Sequence, residues 1–423
     1  MRIVSLTAGA AGMYCGTCLR DNSLARELIR QGHDVLLVPM YTPTLTDDEN
    51  VSSDRIFFGG ISVYLQQHYP IFRKLPSFFD KLWDSEWALK LATKDSISVD
   101  PKMLGEMTAS MLRGENGYQA REIRKLVDWL VKEPRADVID LPYTLLIALA
   151  EPLKRALKCP ITCTLQGEDL FLEGLPGPWR TECLRLIQAN LRHVDRFIAV
   201  SAYYAGFMSE YLGIEHDRIE LAPLGISLEG HSPVPRSYEG PLRVGYFARV
   251  APEKGLHILC EAVALMKQPA ELRAAGYLPP EHATYLRTLE NQFGLKYEGS
   301  PDRSGKIKFL QSVDVFSMPS PYADPKGLSL LEAMANGVPV VQPSRGAFPE
   351  IVGKTRGGVL YEPDEPKILA AALDDLARNR DRLRELSEHA AEGVRTRYSI
   401  AQMATRTAEI YQSVSQGAAI AQS

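Results

Sequence analysis

The stretch SPYADPKGLSLLEAMANGVPVVQPS, residues 320–344, decides the fold. It runs from a turn, SPYADPKG, into the apolar helix pattern LSLLEAMA, breaks at Gly337 and resumes as the apolar run VPVVQPS. A helix that is apolar on most sides must be covered by other elements. An apolar run of this kind suits a strand of a parallel sheet covered on both faces. Together they read as part of a strand–helix–strand crossover, the repeat of open α/β domains. Two carboxylates, Asp324 and Glu332, stand astride the start of that helix, with Lys326 and Gly327 between them.

That placement has a chemical meaning. The first turn of a helix leaves backbone N–H groups unpaired and carries partial positive charge, so it receives phosphate. Gly327 lets a ligand approach the backbone closely, and Lys326 adds a cation. A carboxylate accepts two hydrogen bonds, and the vicinal hydroxyls of a sugar or ribose donate two. A ligand with phosphate in the middle and hydroxyls at both ends satisfies all these groups, and a nucleotide-sugar is such a ligand. A plainer reading stays open, with Asp324 as the N-terminal cap and Glu332 on a solvated face. The apolar neighbours of Glu332 speak against the second half of it. A second stretch, GYFARVAPEKGLHIL at 245–259, reads as strand, loop and helix. Arg249 and Lys254 lie in the loop at the carboxyl end of its strand, where open α/β sheets bind ligands. Two cations there suit a diphosphate; ordinary surface charge is the alternative.

The rest of the chain repeats the same unit. RIVSL, DVLLVPMY, DVIDLP, ITCTLQG, RFIAVS and RIELAP read as strands of a first Rossmann-like doubly wound domain, residues 1–229. LRVGYFARV, ELRAAGY, LKYEG, VDVFSMPS, VPVVQPS and GVLYEP make a second, residues 238–395. Between them GHSPVPRSYEG reads as a linker. NSLARELIRQGH predicts a helix capped at Asp21 or Asn22 and ended at Gly32. Residues 43–135 interrupt the first domain with an aromatic insertion in which Leu82, Trp83, Glu86, Trp87 and Leu91 share one helix side. That face fits a cap helix, an acceptor-binding surface or a surface apposed to a membrane.

ARVAPEKG together with PKGLSLLEAMANGVPVV resembles the retaining GT-B glycosyltransferases of glycosyltransferase family 4, the glycosyl transferases group 1. The likeness extends over AVS…IELAPLGIS, GAFPEIV, GGVLYEPDEP and the helical tail. It implies an α/β fold of the GT-B type, with two Rossmann-like domains facing across a cleft, the first for the acceptor and the second for the donor. It implies that residues 396–423 return to the first domain. Carried over residue by residue, it makes Arg249 and Lys254 the groups that stabilise the departing diphosphate. Glu332 would hold the ribose hydroxyls, and Asp324, where the family usually has Glu, would contact the donor sugar. Lys326 and the amides of Gly327 and Leu328 would meet phosphate or sugar, Gly12 and Gly16 would close onto the phosphates, and Tyr297 to Gly299 would lie near the base. Gln166 stands where the family commonly places a histidine, with Glu168 and Asp169 as acceptor-side contacts.

The whole composition agrees with a soluble, reducing, cytoplasmic setting, with peripheral association at the inner membrane face as an extension of it. The 423 residues are 45% hydrophobic and 24% charged, with a net charge of −4. Such a balance gives no support to a nucleic-acid partner. MRIVSL reads as a strand rather than a signal segment. Six cysteines are few for this length, and no disulfide is expected. Cys15 and Cys18 form a CxxC pair, but a glycine-rich loop precedes it, so loop packing outweighs a redox or metal role. The glycine-rich loop lacks the acidic partner of a dinucleotide site, so no NAD is expected. The expectation is transfer of a hexosyl unit from a nucleoside diphosphate sugar to a sugar, lipid or small-molecule hydroxyl, without cofactor or metal. The alternatives are a non-catalytic sugar-nucleotide-binding or regulatory protein on the same fold, and an epimerase or hydrolase of that architecture.

Overall fold

The computed structural model describes residues 1–9, 16–43, 46, 49–58 and 101–422. Gly12, Cys15 and the aromatic face from Leu82 to Leu91 lie outside the described residues. The chain divides into two compact units. One comprises Met1–Val200, Tyr204–Ala222 and Ala404–Ser423; the other comprises Ser201–Tyr203 and Pro223–Met403.

The first unit is built on six strands: β1 (Arg2–Thr7), β2 (Asp34–Pro39), β3 (Val138–Leu141), β4 (Ile161–Leu165), β5 (Arg196–Ala199) and β6 (Ile219–Leu221). They form one parallel sheet in the order β2-β1-β3-β4-β5-β6. The second unit repeats the plan with β7 (Leu242–Phe247), β8 (Ala270–Ala275), β9 (Lys296–Tyr297), β10 (Val315–Phe316), β11 (Val340–Pro343) and β12 (Gly358–Tyr361). Its order is β12-β11-β10-β7-β8-β9, again parallel. Every strand stretch expected from the apolar runs is present, and the central ones are buried throughout, as β3, β4, β10 and β11 show.

The strand orders fix where ligands can sit. In the first unit the chain runs from β1 outward to β2, then restarts at β3 on the other side of β1. In the second it runs from β7 through β8 to β9, then restarts at β10 on the other side of β7. The loops leaving β1 and β3, and those leaving β7 and β10, therefore diverge. Each pair opens a crevice at the carboxyl end of its sheet.

The helices used below are α1 (Gly16–Arg30), α2 (Pro101–Leu112), α3 (Asp169–Glu173), α4 (Leu256–Leu265), α5 (Arg303–Gln311), α6 (Leu328–Ala335), α7 (Phe348–Thr355) and α8 (Ile400–Gln422). Helix α1 starts before the predicted caps, so Asp21 and Asn22 lie inside it. Other partners have taken both side chains. Asn22 donates to the Glu49 carbonyl at 2.9 Å and accepts from the Val51 amide at 3.0 Å, while Asp21 pairs with Arg20. The other end is as expected, with Gly32 at φ +88 behind the last turn. Helix α6 buries Leu330, Leu331, Ala333, Met334 and Ala335, as its all-round apolar pattern requires.

Arg236 makes the densest set of contacts between the segment joining the two sheets and the second unit. Arg236 donates to the carbonyls of Val313 (3.0 Å), Gly337 (2.8 Å) and Asn336 (3.0 Å). His231 meets the Asn336 amide at 2.8 Å close by. From Ala404 onward α8 belongs to the first unit. There Arg406 pairs with Glu220 at 2.8 Å and Ser415 donates to the Asp137 carbonyl at 3.0 Å.

A hydrogen bond from a charged group contributes about 1.5–3 kcal/mol, and Arg236 satisfies three carbonyls at once. Arg236→Ala is expected to lower unfolding free energy by at least that amount in urea melts. A change within ±0.5 kcal/mol would show that the segment is not held by this side chain.

Candidate functional site

The crevice of the second unit gathers most of the residues that the sequence singles out. Strand β7 ends in the loop carrying Arg249 and Lys254, and β10 ends in the loop carrying Asp324, Lys326 and Gly327. The two loops rest on each other's backbone. Gly255 has φ +75, and a Cβ there would lie 1.9 Å from the Pro319 carbonyl oxygen, so only glycine fits. The Ser320 hydroxyl donates across the same seam to the Glu253 carbonyl at 2.8 Å.

Asp324 is the hinge of the arrangement. Its Oδ2 accepts from Lys254 Nζ at 2.6 Å, and its Oδ1 accepts from the amides of Lys326 and Gly327, each at 2.9 Å. Burial alone would raise its pKa. The Lys254 charge and the two amides outweigh burial and pull it down to about 2. Asp324 is thus not the cap of α6, whose N-cap position is Gly327; it closes two amides of the turn before the helix, and the same carboxylate fixes the lysine. Beyond it, the amides of Leu328 and Ser329 open the first turn of α6. Leu330 and Leu331 already donate to the Gly327 carbonyl at 3.1 Å.

Glu332 is not on a solvated face. Its side chain is 12% exposed and its Oε1 accepts from Lys306 Nζ at 2.7 Å. Lys306, on α5, was not singled out from the sequence. It precedes the buried Phe309 and Leu310 by three and four residues, which places it on the apolar stripe of α5. A buried lysine on such a stripe was the available signal for a paired carboxylate. Arg249 differs from Lys254 in being half exposed; its guanidinium is joined to Glu253 within the same loop. Tyr297 and Gly299 lie at the end of β9, two strands from β7. The Tyr297 hydroxyl donates to the Gly276 carbonyl at 2.6 Å, and the Gly276 amide donates to the Gly299 carbonyl at 2.9 Å. These two bonds brace the exit of β8.

The acceptor-side residues lie in the first unit, in the loop after β4. Gln166 donates from Nε2 to the Pro142 carbonyl at 2.7 Å. Glu168 accepts from the Thr144 amide (3.2 Å) and hydroxyl (3.1 Å), from the Gln166 amide (2.9 Å) and from the Tyr204 hydroxyl (3.2 Å). Asp169 lies nearer the same Tyr204 hydroxyl, at 2.7 Å, so the two carboxylates share its one proton. Burial raises the Glu168 pKa against the pull of its backbone donors. Glu168 thus ties the loop after β4 to the loop after β3. Gly16 opens α1 beside this region.

A buried polar cluster below it was missed in the sequence. Arg20 and Asp21 are in contact at 3.1 Å, each with a side chain 2% exposed. Burial raises Asp21 to about 6, with Arg20 opposing. Asp140 on β3 accepts from Thr162 at 2.7 Å and interacts with the Tyr411 hydroxyl of α8. An Arg-Asp pair just after a glycine-rich loop reads as a helix start, so the sequence hid its burial. The described cysteines, Cys18, Cys159, Cys163, Cys183 and Cys260, are all free and buried. Among the described residues no group of three His, Cys, Asp or Glu side chains could hold a metal ion. No described helix is long and apolar enough to cross a membrane.

Comparison with known proteins follows the same division. Residues 229–393 match the family "Glycosyl transferases group 1", and residues 108–229 match "Glycosyltransferase Family 4". The chain is 30% identical over 306 residues to the phosphatidyl-myo-inositol mannosyltransferase of Mycobacterium leprae, covering 68% of this chain and 75% of that protein. It is 30% identical over 223 residues to Escherichia coli WcaL, a protein named for colanic acid biosynthesis. There the chain spans about half of the relative's length, 54%, and 48% of its own. Among solved structures, sucrose-phosphate synthase of Thermosynechococcus elongatus superposes with a TM-score of 0.71 at 17% identity, over 97% of this chain and 98% of that one. Anabaena HepE, in complex with UDP and glucose, gives 0.67 at 17% identity, over 97% and 99%. At such identities the likeness is one of fold, and the fold is that of the GT-B glycosyltransferases.

The Asp324 carboxyl titrates from 3.8 in the unfolded chain to about 2 when folded. Its stabilisation, about 2 kcal/mol, is complete above pH 4 and is lost as pH falls toward 2. Asp324→Asn is expected to lose that amount in urea melts at pH 7, the gap to the parent closing between pH 4 and 2. A gap that does not change with pH would refute the ion pair as its source.

Proposed function

The chain belongs to glycosyltransferase family 4, and on that premise we propose that it moves a hexosyl unit from a nucleoside diphosphate sugar to a hydroxyl acceptor, with retention at the anomeric carbon. One observation carries the reading. Lys254, fixed by Asp324 at 2.6 Å, stands over a helix start whose next two amides are open, with Arg249 on the same loop. That is a site for a dianionic diphosphate. The uridine nucleotide in the HepE structure supports a donor of this class, and the mannosyltransferase name of the mycobacterial relative supports a hexose.

The steps follow from charge. As the bond between the anomeric carbon and the diphosphate breaks, its electron pair goes to the departing phosphate oxygen. Lys254, Arg249 and the amides of Leu328 and Ser329 stabilise that charge from fixed positions. Because Asp324 is held as an anion at 2.6 Å from its Nζ, Lys254 is oriented without reorganisation. Glu332, with Oε1 on Lys306, keeps Oε2 for the ribose hydroxyls. The acceptor hydroxyl forms the new bond on the face from which the diphosphate leaves, and its proton passes to that phosphate. Charge stabilisation from these side chains and amides needs no metal ion.

Removing one such charge in comparable sites costs about 10²–10³ in rate. Lys254→Ala and Glu332→Ala are each expected to lose turnover by that factor while melting cooperatively. A thermal-shift panel of UDP-, GDP- and ADP-sugars should pick one base, because a ligand bound only by the native state raises its melting point. Near-normal turnover in both variants would remove the mechanism. Donor that is bound but never transferred would favour a pure binder, and free sugar or an epimer formed without acceptor would favour the hydrolase or epimerase reading.

A further inference from the structure

The first unit contains a pocket of about 390 Å³ at its own crevice. Ala8 and Gly9 line it from the loop after β1, Tyr143 and Leu145 from the loop after β3, and Gln166 to Glu168 from the loop after β4. Its size falls within the usual range of small-molecule sites. Helix α2 contributes Leu104, Met107, Thr108 and Met111, one face at three- and four-residue spacing. Phe171 of α3 adds an aromatic ring. The face of α2 is held in place by a close approach behind it. A Cβ on Gly105 would lie 2.5 Å from the Trp179 ring, so the helix lies directly against that side chain.

Among the polar groups that interrupt this wall, two are buried amides with an incomplete set of partners. Gln166 is 2% exposed and Gln119 is 1% exposed, and both line the pocket. Gln166 uses Nε2 on the Pro142 carbonyl and leaves Oε1 unpartnered. Gln119 uses its oxygen on the Ser110 hydroxyl at 2.8 Å and leaves Nε2 unpartnered. One buried acceptor and one buried donor are therefore unsatisfied, and such groups are costly unless a ligand or water completes them.

The geometry points to an amphiphilic acceptor: a hydroxyl-bearing polar end that completes the Gln166 and Gln119 amides, continued by an apolar chain lying against Leu104, Met107, Met111, Leu145 and Phe171. Among the described residues this wall suits a bare saccharide poorly. Each of its several hydroxyls would need a partner, while Glu168 already accepts from three donors and shares a fourth with Asp169, and Thr108 donates to the Leu104 carbonyl at 2.8 Å. An alkyl or prenyl chain asks for no such partner and gains about 0.8 kcal/mol per buried methylene. Met107 and Met111 adapt to such a chain without strain. The inference rests on the glycosyl-transfer reading for the word acceptor, while the pocket and its ligand class stand on the wall alone.

The test uses the full chain and straight-chain 1-alkanols from butanol to dodecanol, below their solubility limits, with binding read by calorimetry. The dissociation constant should fall about fourfold per added methylene, the equivalent of 0.8 kcal/mol, and level off once the pocket is full. Replacing 1-octanol by 1-chlorooctane should weaken binding roughly 2- to 12-fold, as for one lost hydrogen bond. Met107→Glu should abolish the chain-length gain, and Met107→Leu should keep it. A flat series in the parent protein overturns the proposal whatever the variants do. An equally steep series in folded Met107→Glu places the chain elsewhere and overturns it too. The UDP thermal shift is read on the same samples: its absence counts against the donor site of the second unit and leaves the pocket standing.

Discussion

The contact on which the second unit's site depends is the ion pair between Lys254 and Asp324. It joins the loop after β7 to the loop after β10, the two that diverge at the point where strand order reverses. Its carboxylate is doubly committed. One oxygen holds the lysine, and the other closes the amides of the turn that leads into α6. Attraction between two nearly buried charges is seldom a net gain over an apolar contact. Its value here is geometric. A cation stays beside an open helix start, and neither can drift while Gly255 lies on the Pro319 carbonyl.

The two units solve the same topological problem with opposite chemistry. In the second, the reversal of strand order is furnished with Lys254, Arg249, open amides and the Lys306–Glu332 pair. In the first, the equivalent position carries a methionine-rich wall, with a carboxylate that ties loops together and two incomplete amides. Charge is concentrated where a diphosphate would leave, and apolar surface where a second substrate would enter. A shared scaffold thus specifies where ligands sit, and the loop residues specify what they are.

Much of this was legible in the amino-acid order. All the strands were, because both faces of a parallel sheet are covered and each strand becomes an unbroken apolar run. Arg249, Lys254, Asp324, Gly327 and Glu332 were legible because loop and helix signals surround them at short range. What escaped was long-range. The partner of Glu332 is Lys306, 26 residues away on another helix. Asp21 and Asn22 imitate caps, yet Asp21 meets Gln166 at 3.4 Å as well as its neighbour Arg20, and Asn22 is held by residues 49–51. The pocket wall could not be read at all, since α2, α3 and three separate loops contribute to it.

One feature of the chain's path governs its synthesis. Tyr411 of α8 covers Asp140, and with it the Arg20–Asp21 pair, in a unit whose sheet ends at Leu221. The ribosome makes everything from Pro223 to Met403 in between, roughly 10–40 s of elongation at about 5–20 residues per second. The contact between Tyr411 and Asp140 is therefore among the last long-range ties of the first unit that synthesis makes available, and it can form only after the whole of the second unit has been made.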